Sequence, residues 1–186
     1  MTRAERRLER TAYHEAGHAV ACWAYGLRFK RVTVVPRDDS LGHLAGWPWG
    51  KGMQAYSLTA ASERRFEAQI VCCLAGGLAA KQAGFRDLGS HSDLQLAVNC
   101  AAWLLDGGFR PVCGSDVEEA LLRFCHVCAK QVVGFRWVCV EALARALVAK
   151  GTLSEAEALD VIREAWLREA DEWRADAHAT SGEATG

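Results

Sequence analysis

The sequence has no apolar run long enough to cross a bilayer. Its longest apolar stretches, near residues 70–80 and 142–149, fall well short of the roughly 20 residues a membrane helix needs. It has almost no net charge, −1 at pH 7 over 186 residues, which removes the electrostatic reason to expect a nucleic-acid backbone or an anionic membrane as its main partner. No apolar signal core follows the N-terminus, which is charged instead (Arg3, Glu5, Arg6, Arg7, Glu9, Arg10), so a cytoplasmic protein is expected. Proline is scarce, at three residues. Cysteine is not scarce, with eight residues, but without an export signal these are expected to be reduced thiols rather than disulfides. Cys125-His126-Val127-Cys128 has no second C-x-x-C to complete a zinc knuckle and sits mid-helix, so core packing is its expected role.

What is present is the composition of one globular domain, 51% hydrophobic and 24% charged, long enough to bury a core. Residues 1–175 are expected to form that domain and 176–186, rich in Ala, Thr, Ser and Gly, a disordered tail. Most of the chain reads as helix. Thr2 and Glu5 form a capping box for a first helix through Tyr25, and Gly26 is a suitable stop. Arg31–Pro36 is β-branched and reads as a strand, and Gly42–Trp49 as a possible edge strand limited by Pro48. Thr59 caps a helix to about Ala83, interrupted by Gly76-Gly77, a pair suited to a close helix crossing. Ser90-His91-Ser92-Asp93 opens another helix, to Leu105. Ser115-Asp116-Val117-Glu118 caps the next helical stretch, to Ala149 with a bend near Gly134. Lys150-Gly151 is a stop, and Ser154–Glu157 caps a last helix through Trp166.

The chemistry concentrates in His14-Glu15-Ala16-Gly17-His18. Residues four apart share a helix face, so His14 and His18 can present imidazoles to one metal ion, and Glu15 beside them can serve a metal-bound water as general base. Gly17 costs about 1 kcal/mol in a helix interior relative to alanine, which points to a neighbouring backbone or ligand close by. A catalytic zinc wants a third protein ligand. The histidine that one zinc-peptidase pattern puts at position 24 is absent, because that residue is Ala24, and the next glutamate after Glu15 is Glu63. Asp38 and Asp39 read as solvent-facing turn residues. Asp93 is the stronger candidate, although it also fits as the third residue of the Ser90 cap. His43, His91, His126 and His178 are not needed for the site. The seven tryptophans are expected to fill core or subunit contacts, with Trp47 and Trp49 lining a substrate edge as the alternative.

Tyr13–His18, Arg31–Arg37 (RVTVVPR) followed by Leu41-Gly42, Ala75–Ala80 (AGGLAA), Ser90–Leu94 (SHSDL) and Glu141–Leu153 (EALARALVAKGTL) resemble, in order and spacing, the peptidase domain of FtsH-type ATP-dependent zinc metalloproteases. The resemblance covers about Arg7 to Ile162. It implies a mainly α, helical zincin-like domain with a small two- or three-stranded β element along which unfolded polypeptide binds. It further implies one Zn2+ held by His14, His18 and Asp93, and Glu15 as general base. The chain departs from the family in three ways. It shows no G-x-x-x-x-G-K-[ST] pattern, so the ATPase module is expected to be missing. The family's transmembrane anchor is expected to be missing too. It carries Leu78, Lys81 and Gln82 where an arginine and paired acids are usual, and Ser92 replaces the usual asparagine. A stand-alone zinc metalloendopeptidase acting on unfolded or delivered polypeptide is therefore expected, either as a homo-oligomer (ring or dimer) or with a separate AAA+ ATPase. The alternatives are a non-catalytic adaptor of the same fold and a peptidase subunit that works only with the ATPase.

Overall fold

Thr2 and Glu5 start the first helix as a reciprocal cap: the Glu5 amide donates to Thr2 Oγ1 at 3.2 Å and the Thr2 amide to Glu5 Oε2 at 2.7 Å. In the computed structural model, which describes residues 1–36, 41–45, 59–86, 91–106 and 115–182, that helix is α1 (Arg3–Ala24). It is followed by β1 (Arg31–Thr33), β2 (His43–Ala45), α2 (Ala60–Gln82), α3 (His91–Asp106), α4 (Ser115–Phe135), α5 (Trp137–Lys150), β3 (Thr152–Ser154) and α6 (Glu155–Gly182). The protein is mainly α with one small antiparallel sheet, in the order β2-β1-β3. Among the described residues no helix is long and apolar enough to cross a membrane.

Two apolar cores organise these elements. The first joins α1, α5 and α6 to the sheet through Val20, Val32, Leu143, Leu147, Leu153 and Ile162, none of them exposed. Each such aliphatic side chain contributes about 1.5–3 kcal/mol by leaving water. The second joins α2, α3 and α4 through Phe66, Ile70, Val71, Ala97, Cys125 and Ala129. Leu78 of α2 packs against both. The buried face of α1 is built from Ala12, Ala16 and Ala19, small enough for α2 to lie close against it. A methyl at Gly17 would sit 2.7 Å from the Ala75 carbonyl oxygen and 2.6 Å from Ala79 Cβ. The helix-interior glycine is thus explained by the α2 backbone crossing over it, at a cost in helix propensity that the close packing offsets.

The sheet ties the two ends of the chain together. Val32 of β1 lies between Leu44 of β2 and Leu153 of β3. Gly151, at φ 75°, reverses the chain out of α5 with its amide on the Leu147 carbonyl, and its own carbonyl accepts from the Val34 amide at 2.9 Å. Ser154 and Glu157 then cap α6 by the same reciprocal device as α1. The sequence reading missed β3 as a distinct strand and ended the last helix near Trp166, whereas α6 extends to Gly182. The break in the late helical stretch falls at Arg136, two residues beyond Gly134. The Ser90 cap, Asp38, Asp39, Trp47, Pro48, Trp49 and residues 183–186 lie outside the described residues.

Seven cysteines are described, all free, and six of them are buried. Burial pushes the Cys72 thiol well above its ordinary value and that of Cys125 to about 12. Protonated buried thiols behave as small hydrophobes.

Candidate metal centre

α1 presents His14, Glu15 and His18, and the first turn of α3 brings Asp93 to the same point. His14 Nε2 and Asp93 Oδ2 are 3.0 Å apart, His18 Nε2 and Asp93 Oδ2 3.4 Å, and the two Nε2 atoms 3.0 Å. Among the described residues these three side chains form the one cluster of His, Cys, Asp and Glu able to hold a metal ion. Ligands about 2.0–2.1 Å from a tetrahedral zinc stand about 3.3 Å from one another, so the observed separations are those of one face of such a tetrahedron. His18 is 4% exposed, while the His14 and Asp93 side chains are 15% and 23% exposed, so the cluster opens on their side.

The orientation of His18 is set from α2. Its Nδ1 lies 2.7 Å from the Cys72 carbonyl oxygen. A carbonyl only accepts, so Nδ1 carries the hydrogen and Nε2 turns toward His14 and Asp93, an arrangement common in metal-binding histidines. One turn further along α2, Gly76 passes beneath the same ring. A methyl at this position would lie 2.5 Å from His18 Cε1 and closer still to Nε2. α2 thus holds the imidazole by a hydrogen bond on one side and by bare backbone beneath it.

The electrostatics favour a cation where the three ligand atoms meet. Burial alone would push His18 down, but Asp93, with help from Glu15 and the Cys72 carbonyl, overrides this and raises it to about 9. Burial likewise opposes ionisation of Asp93, yet the two histidines hold its carboxyl well below the usual carboxylate range. Without a metal this field retains a proton; a divalent ion satisfies the same groups. Two imidazoles and one carboxylate, with one of the rings oriented by a carbonyl, fit zinc.

Glu15 is not one of the three. It is 5% exposed, and its Oε2 is buried with no hydrogen-bond partner among the described residues. Burial, reinforced by Asp93 and opposed by His18, raises its carboxyl to about 7. Gly42, just before β2, fits against it: a methyl there would lie 3.1 Å from Glu15 Cγ and 2.7 Å from both Thr11 Cγ2 and the Thr33 carbonyl oxygen. Because Glu15 is raised from 4.5 to about 7 on folding, its contribution to stability is complete below pH 4.5 and is lost as pH rises through 7. The metal-free protein is therefore expected to lose stability over that range relative to metal-free Glu15→Gln, whose amide does not titrate. Thermal denaturation of both across the range checks this, and parallel curves would contradict it.

Of the residues singled out in the sequence, the structure brings together His14, His18 and Asp93, with Glu15 alongside. His43 on β2, His91 at the exposed start of α3 and His126 on α4 are not in the cluster. The sequence reading missed the Cys72 carbonyl, which carries no side-chain signature, and the part played by Gly42. It saw Gly76 only as a helix-crossing residue.

The profile described as Peptidase family M41 matches residues 1–106, from α1 through α3 and so including all four of these residues. This chain belongs to that family. Two curated relatives of the family member are informative. The "ATP-dependent zinc metalloprotease FtsH" of Syntrophus aciditrophicus (strain SB) is 31% identical over 190 residues, covering 82% of this chain and 25% of the relative. The "ATP-dependent zinc metalloprotease FtsH 1" of Rhodopirellula baltica (strain DSM 10527 / NCIMB 13988 / SH1) is 33% identical over 133 residues, covering 66% of this chain and 19% of the relative. The family member described here thus spans a quarter or less of the length of these relatives. At the positions where the sequence departs from the family pattern, Leu78 is a partly buried core residue and Lys81 and Gln82 are exposed.

Proposed function

We propose that this chain is a zinc-dependent metalloendopeptidase in which His14, His18 and Asp93 hold the ion and Glu15 moves the proton. The observation that carries the reading is the convergence of three ligand atoms within 3.4 Å beside a buried carboxylate oxygen that has no partner among the described residues. When bound, the ion would supply Lewis acidity, lowering the pKa of a coordinated water and polarising the peptide carbonyl. Asp93 and the oriented His18 keep their lone pairs aimed at one point. Glu15 Oε2, buried and near neutrality without a metal, takes the proton of the attacking water and returns it to the leaving amine. A binding module has no use for an isolated carboxylate in such a place, and this favours the enzyme over a non-catalytic adaptor.

The substrate would be an extended segment of polypeptide. Among the described residues β2 is the outer strand of the sheet, beside β1, and Gly42 immediately before it rests on Glu15. An extended peptide laid along the sheet at Gly42 would run beside the base. Unfolded chains, or chains delivered by a separate ATPase, fit such a requirement, and the peptidase unit is proposed to be residues 1–175.

Casein or an unstructured peptide is the appropriate probe. Cleavage should accompany about one zinc per chain, stop on chelation and return on adding zinc. Cleavage that is indifferent to a chelator that has removed the zinc would overturn the metal reading. A protein that binds the peptide and one zinc but never cuts would favour the adaptor.

A further inference from the structure

The opening turns of α1 carry four arginines. Arg3, Arg7 and Arg10 stand four and three residues apart on one face of the helix, with Arg6 beside them. The next step of four along that face is His14. Arg3, Arg6 and Arg7 are exposed and Arg10 is half-buried. Glu5, engaged in the Thr2 cap, and Glu9 fall on the flank away from the row. Elsewhere Arg28, Arg123, Arg163 and Arg174 form ion pairs; among the described residues no carboxylate pairs with any of the four on α1. The arrangement is unfavourable within the chain. Like charges four apart repel, as do Arg3 with Arg7 and Arg6 with Arg10, and the N-terminal end of a helix disfavours cations. A local cost with no compensating partner in the fold marks a surface shaped for an external anion.

The row leads to the metal cluster, which opens on the side of His14 and Asp93. Gly42 rests on Thr11 Cγ2 as well as on Glu15 Cγ. Thr11 is one turn from Arg7, whose carbonyl accepts from the Thr11 hydroxyl at 3.0 Å. A polypeptide laid along the sheet at Gly42 therefore continues past Thr11 onto the arginines. We propose that this row selects the substrate, favouring polypeptide segments that carry Asp or Glu on one side of the bond to be cut; the inference rests on the metallopeptidase reading. The spacing sets the positions. Along the helix axis Arg10, Arg7 and Arg3 lie about 6, about 10 and about 16 Å from His14. An extended chain advances about 3.3 Å per residue, so the acidic residues fall roughly two, three and five positions from the scissile bond. Each guanidinium can hold a carboxylate through two parallel N–H donors. A net charge of −1 for the whole chain, and a row confined to one helix face, fit a short acidic segment better than a nucleic-acid backbone or a lipid surface.

Fluorogenic peptides of one sequence, with Asp and Glu at those positions or with Asn and Gln in their place, test this on the zinc-loaded full chain. Exposed ion pairs are individually weak, but three together should favour the acidic peptide about tenfold in kcat/KM. The preference should reside in KM and shrink as salt rises. In the triple variant Arg3→Glu/Arg6→Glu/Arg7→Glu, altered only at exposed positions, it should pass to a peptide with Lys at the same places. Far-UV circular dichroism and zinc content establish that this variant is folded, and Arg7→Gln, a milder change, should by itself reduce the preference. A wild type that cuts the acidic and amide peptides alike would overturn the proposal, as would a folded triple variant that still prefers the acidic one. Fluorescence anisotropy of the same peptides on the Glu15→Gln protein tests the row without turnover. If no peptide is ever cut, the metallopeptidase reading fails by itself; about tenfold tighter binding of the acidic peptide still supports the row, and equal binding overturns it. Single-stranded DNA or phosphatidylserine vesicles held by these arginines, with the two peptides bound alike, would assign the row to another partner and overturn the proposal.

Discussion

Replacing Glu15 by glutamine should leave one zinc per chain and reduce peptide cleavage by roughly 10²–10⁴-fold, the usual range for removing a general acid–base group. Three observations set this expectation. Glu15 lies outside the set of three ligand atoms, so the ion does not depend on it. It is buried against Gly42, with its Cγ in contact range of that backbone, so glutamine, of nearly the same shape, keeps the packing. Its Oε2 has no partner among the described residues, so the function lost is the capacity to take and release a proton. The loss should appear in kcat with KM little changed, because the proton transfer belongs to the transition state and not to the bound substrate. Zinc content and peptide kinetics on the same preparation provide the check. A glutamine variant that keeps its zinc and most of its activity would remove Glu15 from the mechanism, and one that loses its zinc would show that the carboxylate supports the ion instead.

Local signals carried much of the fold, and their reach explains where they stopped. The Thr2–Glu5 cap, the glycine stops at 26 and 151 and the Ser154–Glu157 cap are decided within a few residues, and each stands in the structure as read. Gly17 was legible as a close approach because a glycine in a well-formed helix has a cost that something must offset; the α2 backbone at Ala75 is that something. Asp93 was legible from the residues as a stronger candidate than the turn residues Asp38 and Asp39, but its role as third ligand came from the resemblance, since contacts across 79 residues follow from how α1 and α3 are packed. The His18–Cys72 bond was not legible at all, because a backbone carbonyl has no residue type. The extension of α6 past Trp166 follows from residues 167–175, rich in Ala, Arg and Glu, which are good helix formers whether or not they are packed.

Gly76→Ala should weaken zinc binding by 10–100-fold while leaving the protein folded. The added methyl would lie 2.5 Å from His18 Cε1, and relief to an ordinary contact requires a displacement on the order of 1 Å. Metal ligation tolerates about 0.2 Å. The α2 backbone is held by its crossing with α1 at Gly17, so the imidazole is the part free to move. Moving it also stretches the 2.7 Å bond from Nδ1 to the Cys72 carbonyl, and losing such an orienting partner is enough by itself to cost that range of affinity. The fold is expected to survive because two terms of similar size oppose each other. Alanine gains about 1 kcal/mol over glycine in a helix interior, and overpacking costs about 1–3 kcal/mol. Competition against a chromogenic chelator, with circular dichroism on the same samples, separates the outcomes, and Asp93→Ala, which removes a proposed ligand outright, sets the lower bound of affinity. A folded Gly76→Ala protein that binds zinc like the wild type would mean that the ring has room the geometry denies it. A variant that loses fold and metal together would make Gly76 a residue of the α1–α2 crossing alone. Loss of zinc from a folded chain is the result that assigns to α2, which supplies no ligand, the placing of one.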